Sequence, residues 1–219
     1  MTQKLLLGLL VSSVLTGCAD KRAPTAANFA RGLRDYLRVR GDLCLGLGND
    51  QWPIDVWPGS SAVHDRNAVQ MPVLEKLGLV SSSDAVVDKA IVTGVSRVAV
   101  RRYRLTDAGR AAMVRRPSLS GGPGVVDFCV AKLTLDKVAS WELTDRGGGQ
   151  RGALVHYTYR ADAAPWTGDP DARRVFPMVD RVVRGAGTAQ LEEGFTLTDA
   201  GWVANELVPP APPAVARGP

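Results

Sequence analysis

Lys137-Val138-Ala139-Ser140-Trp141-Glu142-Leu143, then Asp145-Arg146-Gly147-Gly148-Gly149-Gln150-Arg151-Gly152, then Ala153-Leu154-Val155-His156-Tyr157-Thr158-Tyr159-Arg160 decide the fold. The last segment alternates. Leu154, His156, Thr158 and Arg160 take one side, and Val155, Tyr157 and Tyr159 the other, which is the period of a half-buried strand. The glycine-rich middle raises no steric objection to positive φ. The three pieces therefore read as a β-hairpin. Upstream, Val125 to Leu133 is another strand candidate. Downstream, Val175, Met178, Val179 and Val182 form a helical stripe within Asp171–Val183, interrupted at Pro177, and Ala189 to Thr198 closes as a strand. The predicted unit over 125–208 is an antiparallel sheet with one helix.

Working back toward the N-terminus, the pattern changes from strand to helix. Phe29, Leu33, Tyr36 and Leu37 share one helical face, with Asn28 as the expected cap, and Arg31, Arg34, Asp35 and Arg38 take the other. Gly41 ends this helix. A short strand is expected over Leu43–Leu47. A second helix is expected over Ala68–Leu77, with Val69, Val73, Leu74 and Leu77 inward, Pro72 tolerated only near its first turn and Gly78 as C-cap. Val95–Leu105 reads as a strand, and Thr106 or Asp107 as the cap of a helix reaching Met113. Residues 116–124, rich in Pro, Gly and Ser, read as a linker between an N-terminal lobe (28–115) and a C-terminal lobe (125–208). The five prolines of 209–219 predict a frayed tail. The expected class is α+β in two small lobes. Leu105-Thr106-Asp107-Ala108-Gly109 recurs as Leu197-Thr198-Asp199-Ala200-Gly201, which raises a duplication of the lobes as a further expectation.

The run Pro72-Val73-Leu74-Glu75-Lys76-Leu77-Gly78-Leu79-Val80, continued at Tyr103-Arg104-Leu105-Thr106-Asp107-Ala108-Gly109-Arg110, resembles the end of a winged-helix domain. Over about 40 residues it implies a helix, a two-stranded wing and a last helix. What it implies is shape, not DNA binding.

The first residues carry an address. Lys4 precedes an apolar run from Leu5 to Leu15, broken by Gly8, Ser12 and Ser13, and too short to span a bilayer. Leu15-Thr16-Gly17-Cys18 resembles the lipobox of bacterial lipoproteins. The resemblance implies loss of residues 1–17 and acylation of Cys18; the small and polar residues that follow read as a short flexible tether, so 18–27 is expected to be lipidated cysteine and tether. Two or more acyl chains anchor stably. In that family Asp directly after the cysteine commonly retains a protein at the inner membrane, so with Ala19 there and Asp20 one later the resemblance implies the outer membrane, facing the periplasm. Cys44 and Cys129 then remain as two cysteines in an oxidising compartment, where one disulfide is expected. Closing so long a loop is worth about 4–5 kcal/mol in the chain-entropy model.

Composition narrows the chemistry. The 219 residues are 45% hydrophobic and 22% charged, which excludes a collagen, a polytopic membrane protein and a wholly disordered chain. The formal charge is +5, carried mostly by scattered arginines. The densest group, Arg97, Arg101, Arg102 and Arg104, lies in a strand, so no nucleic-acid partner is expected. Neither histidine, His64 or His156, sits in a cluster with metal-ligand spacing, and no metal or cofactor is expected. His64-Asp65 beside Ser60 and Ser61 lacks a nucleophile elbow. Asp136, Glu142, Asp162, Asp169 and Asp171 could supply a carboxylate pair, but nothing in the sequence holds two of them at a set distance. Asp169-Pro170-Asp171 is read as a solvated turn rather than a calcium loop. Three tryptophans in loops, Trp52, Trp57 and Trp166, are the candidate binding surface, while Trp141 and Trp202 read as core. The expected function is a non-catalytic binding or interaction module of the cell envelope, acting on an envelope protein or glycan. The alternatives are a peptidoglycan hydrolase and a periplasmic inhibitor of a toxin or hydrolase.

Overall fold

The computed structural model describes residues 20–47, 51–60, 65–92, 94–116 and 124–209. In chain order the elements are α1 (Ala26–Arg40), β1 (Asp42–Cys44), β2 (Ile54–Val56), α2 (Asn67–Lys76), β3 (Val80–Ile91), β4 (Gly94–Leu105), α3 (Asp107–Ala111), β5 (Met113–Arg116), β6 (Val125–Asp145), β7 (Arg151–Ala163), α4 (Pro170–Val175), α5 (Pro177–Gly185), β8 (Gln190–Thr198) and β9 (Gly201–Ala204). The fold is mixed helix and sheet, built on a curled antiparallel sheet. That sheet runs β1-β6-β7-β8-β9, with β5 also paired to β6, and a second sheet runs β2-β4-β3.

The expected hairpin is present and longer than its sequence signal. Val125–Leu133 and Lys137–Leu143 are one 21-residue strand, irregular in register near Asp136 and Ala139. Bulges let such a strand bend without ending. Val155, Tyr157 and Tyr159 are buried on the concave face, as the alternation requires. The stripe with Pro177 is two helices, because Pro177 opens α5 at a position where no backbone N–H is needed. Strands β2, β5 and β9 are not among the expected elements, and β3 is implied only as part of the wing. Met113, expected at the end of a helix, opens β5 instead, because α3 stops at Ala111 and the chain pairs with β6.

The first helix lies across the concave face. Its cap is Thr25, whose side chain accepts from the Asn28 N–H. Asn28, the expected cap, is buried and donates instead to the carbonyls of Asp20 and Ala23. Phe29 is fully buried between Trp141, Phe195 and Trp202, with ring centroids 5.3, 5.8 and 5.0 Å away. In α2, Gln70, Met71, Val73 and Leu74 are buried, whereas Val69 is exposed. Pro72 sits mid-helix rather than in the first turn, held there by the burial of its neighbours Met71 and Val73.

Two cores result, and they cross the expected lobe boundary. One joins Phe29, Leu33 and Leu37 of α1 to Val155, Tyr159, Phe195 and Trp202. The other joins Met71, Leu74, Val80 and Tyr103 to Phe128, Val130, Phe176 and Val179. Sequence adjacency thus does not divide the cores: α1 packs with β7–β9, whereas β1 pairs with β6 and turns Leu43 to the other core. Of the expected linker, 117–123 lies outside the described residues, as do 210–219 of the expected tail. The duplication does not hold. Leu105 ends a strand and Thr106 caps a helix, its side chain accepting from the Gly109 N–H. Leu197-Thr198-Asp199-Ala200-Gly201 instead turns β8 into β9.

Close approach of α1 to the sheet depends on Gly32. A Cβ there would lie 2.6 Å from the Phe195 ring and 2.7 Å from the Trp202 carbonyl oxygen. Gly32→Val is expected to lower the unfolding free energy by about 1–3 kcal/mol through overpacking. Chemical denaturation checks this, and an unchanged midpoint would show that α1 does not bear on the sheet there.

Candidate functional site

Cys44 and Cys129 face each other across β1 and β6 and form a disulfide with an S–S distance of 2.00 Å. The bond ties the strand after α1 to the start of β6, and so joins segments on either side of the β2–β5 region. Cys18, the expected lipidation site, lies outside the described residues.

The three loop tryptophans do not share one surface. Trp52 and Trp166 are half-buried against the second core, and Trp166 meets Phe176 edge-on at 6.5 Å. Trp57 lies on the β3–β4 hairpin under Lys89, whose ammonium sits 4.7 Å from the ring centroid. It lines a shallow groove of 240 Å³ with Asp84, Val100 and Arg101. A deeper groove of 290 Å³ runs beside the disulfide, between Leu43–Leu45, α2 and the α4–α5 junction, and none of the three tryptophans lines it. Trp202 is buried and Trp141 half-buried, both against Phe29.

Three of the five carboxylates singled out in the sequence, Asp136, Asp169 and Asp171, have structural partners. Asp136 accepts from Thr158 and Arg160, which hold its carboxyl below the ordinary range. Asp169 caps α4 by accepting from the N–H groups of Asp171 and Ala172, so the expected solvated turn is a helix N-terminus. Lys76 reaches Asp171 at 2.6 Å and lowers its pKa. Glu142 and Asp162 are exposed on β6 and β7. His156 stands 4.0 Å from Glu192, and His64 lies outside the described residues. Among the described residues no group of three or more His, Cys, Asp or Glu could hold a metal ion. The basic group on β4 is largely spoken for. Arg101 reaches Asp84 at 3.0 Å, Arg104 reaches Ser83 at 3.0 Å, and Arg102 grips Asp55 through two bonds of 2.7 Å. That grip holds the Asp55 carboxyl low.

Two features were not legible in the sequence. The first, a groove of 420 Å³, lies between α1 and β6. Leu37, Leu133 and Leu135 line it, and Arg34, Arg38 and Lys132 bring cations to it. Lys132 is itself held by Asp42 at 3.0 Å and by the Arg38 carbonyl at 3.2 Å. The signal was divided between the polar face of one helix and a strand about 100 residues later, and only packing joins them.

The second feature is Glu193, placed on the concave face of β8 opposite Val155. Burial raises its pKa, although a hydrogen bond from Tyr36 opposes the shift. Burial, and then the charge of Glu193, raise Tyr36 in turn, and the same two causes push Tyr157 up to about 12. Arg40 and Glu206 close this cluster with a contact of 2.6 Å. A half-buried carboxyl with two tyrosines can hold a proton. It contributes one raised carboxyl rather than the acid and base pair that hydrolysis needs.

No protein-family model matches the chain, and no curated protein or solved structure shows significant similarity to it.

Glu193 also makes a pH prediction. Its carboxyl titrates higher in the fold than in the unfolded chain, so the folded state holds the extra proton and stability falls as pH rises through that window. Glu193→Gln should leave stability unchanged below about pH 4 and raise it at about pH 8. Urea unfolding at both values tests this, and equal effects at the two would contradict it.

Proposed function

We propose that this chain is a lipid-anchored lipoprotein of the cell envelope, held in the outer membrane and facing the periplasm, which works as a binding or interaction module. The observation that carries this reading is the Cys44–Cys129 disulfide, in a chain whose first residues read as an export signal and whose Leu15-Thr16-Gly17-Cys18 resembles a lipobox. Disulfides persist in oxidising compartments, and this one closes a loop long enough to matter for stability.

For the binding role, the support is the groove between α1 and β6. Its leucine floor and its arginine and lysine rim suit a ligand with an anionic group on an apolar or sugar body. An envelope protein or glycan offers such groups. Of the carboxylates that a hydrolase would use, Asp136, Asp169 and Asp171 are spent on a cap and ion pairs, which favours binding over hydrolysis. We read α2, the β3–β4 hairpin and α3 as a winged-helix-like unit from their order alone, used for shape.

Cys18→Ser is expected to move the protein from the membrane pellet to the soluble fraction of cells. Sedimentation with membranes at high salt in spite of the substitution would show that no lipid anchor holds it. The same soluble form should carry no alkylatable thiol, and two free thiols under native oxidising conditions would count against the exported location.

A further inference from the structure

The segment expected to be a flexible tether over 18–27 is fastened to the fold from its third residue on. Asp20 to Thr25 form a strap across the start of α1 and the β8–β9 turn. The buried Asn28 amide donates to the Asp20 and Ala23 carbonyls, both at 2.8 Å. The buried Trp202 indole donates to the Arg22 and Ala23 carbonyls, both at 3.2 Å. Arg22 reaches Asp199 at 3.2 Å. Gly201, with φ +109°, leaves room for the strap, since a Cβ there would lie 3.0 Å from the Lys21 carbonyl oxygen.

The strap lies at one end of the molecule. Phe29 near the start of α1 touches Trp141, whereas Gly41 after its end approaches the Leu133 carbonyl. The helix therefore runs antiparallel to β6, and its N-terminus points toward the β6–β7 turn. Fifteen residues of helix separate this end from β1 and the disulfide, a distance of about 22 Å. The strap end also carries exposed Lys21, Ala200 and Leu143.

We propose that this end is seated on the lipid headgroups. The proposal rests on the reading of Cys18 as acylated. Two residue steps separate Cys18 from the fastened Asp20, a reach of at most about 7 Å. An acylated Cys18 therefore leaves the strap, the β8–β9 turn and the N-terminus of α1 no freedom to leave the headgroup layer. The partner surface is a phospholipid bilayer, and the anchor sets the orientation of the whole domain. The end with the disulfide and Met178 is held outward, toward the periplasm.

The test uses the full lipidated chain in vesicles of phosphatidylethanolamine and phosphatidylglycerol. A benzophenone amino acid is placed at Ala200 in one variant and at Met178 in another, both exposed positions. Irradiation is expected to give lipid adducts, seen by mass, at 200 and not at 178. Inserting twelve Gly and Ser residues between Ala19 and Asp20 leaves the fold untouched and lengthens the leash to about 20 Å. It should cut the adduct at 200 by roughly fivefold or more. Equal adducts at the two positions, or no effect of the insertion, overturn the proposal while the anchor stands. A mature N-terminus without acyl mass on Cys18 overturns the anchoring itself, and a soluble Cys18→Ser form without adducts at 200 supports the proposal.

Discussion

Strand β6 is the constraint on which the other elements depend. Its 21 residues pair with β5 and β1 near the start and with β7 along the remainder. Phe128 and Val130 serve one core, while Leu133, Leu135 and Trp141 serve the other. Alternation along the strand puts Phe128 and Val130 on the opposite face from Leu133 and Leu135. The register shifts near Asp136 and Ala139 let the sheet curl, and the curl creates the concave face that α1 fills. The disulfide then fixes β1 to this strand at the far end of the same helix.

Charge in this molecule is mostly structural. The arginines of β4 extend to carboxylates and a hydroxyl on the strands beside them, and Lys76 joins α2 to α4 through Asp171. Solvent screens the exposed pairs among these, so they tune rather than hold the fold. Glu193 differs because it is half-buried beneath α1. Its charge is supported by a tyrosine hydroxyl rather than by a contact cation, and it is the described carboxylate whose pKa burial raises.

The repeated pentapeptide shows how far local sequence reaches. At Thr106 the side chain caps a helix, because the chain must leave the β3–β4 hairpin and pack against Leu79. At Thr198 the hydroxyl accepts from the Ala200 N–H and donates to the Gly201 carbonyl, which closes a turn between two strands. Both outcomes satisfy the same hydroxyl. The neighbours that pack against it choose between them.

Much of the secondary structure was legible in the sequence. The alternation of Val155, Tyr157 and Tyr159, the apolar stripe of α1, and the glycines at 147–149 have local causes, and period and turn chemistry report them directly. The cysteine count likewise named the pair that bonds. Only tertiary structure decided which segments share a core, where the strap after Asp20 is fastened, and that α1 and β6 enclose a groove. Those outcomes depend on contacts between residues far apart in the chain, such as Asn28 and Trp202, which donate to the same Ala23 carbonyl. No local period encodes such contacts, because each partner's pattern is satisfied equally well by any apolar or hydrogen-bonding surface of the right shape.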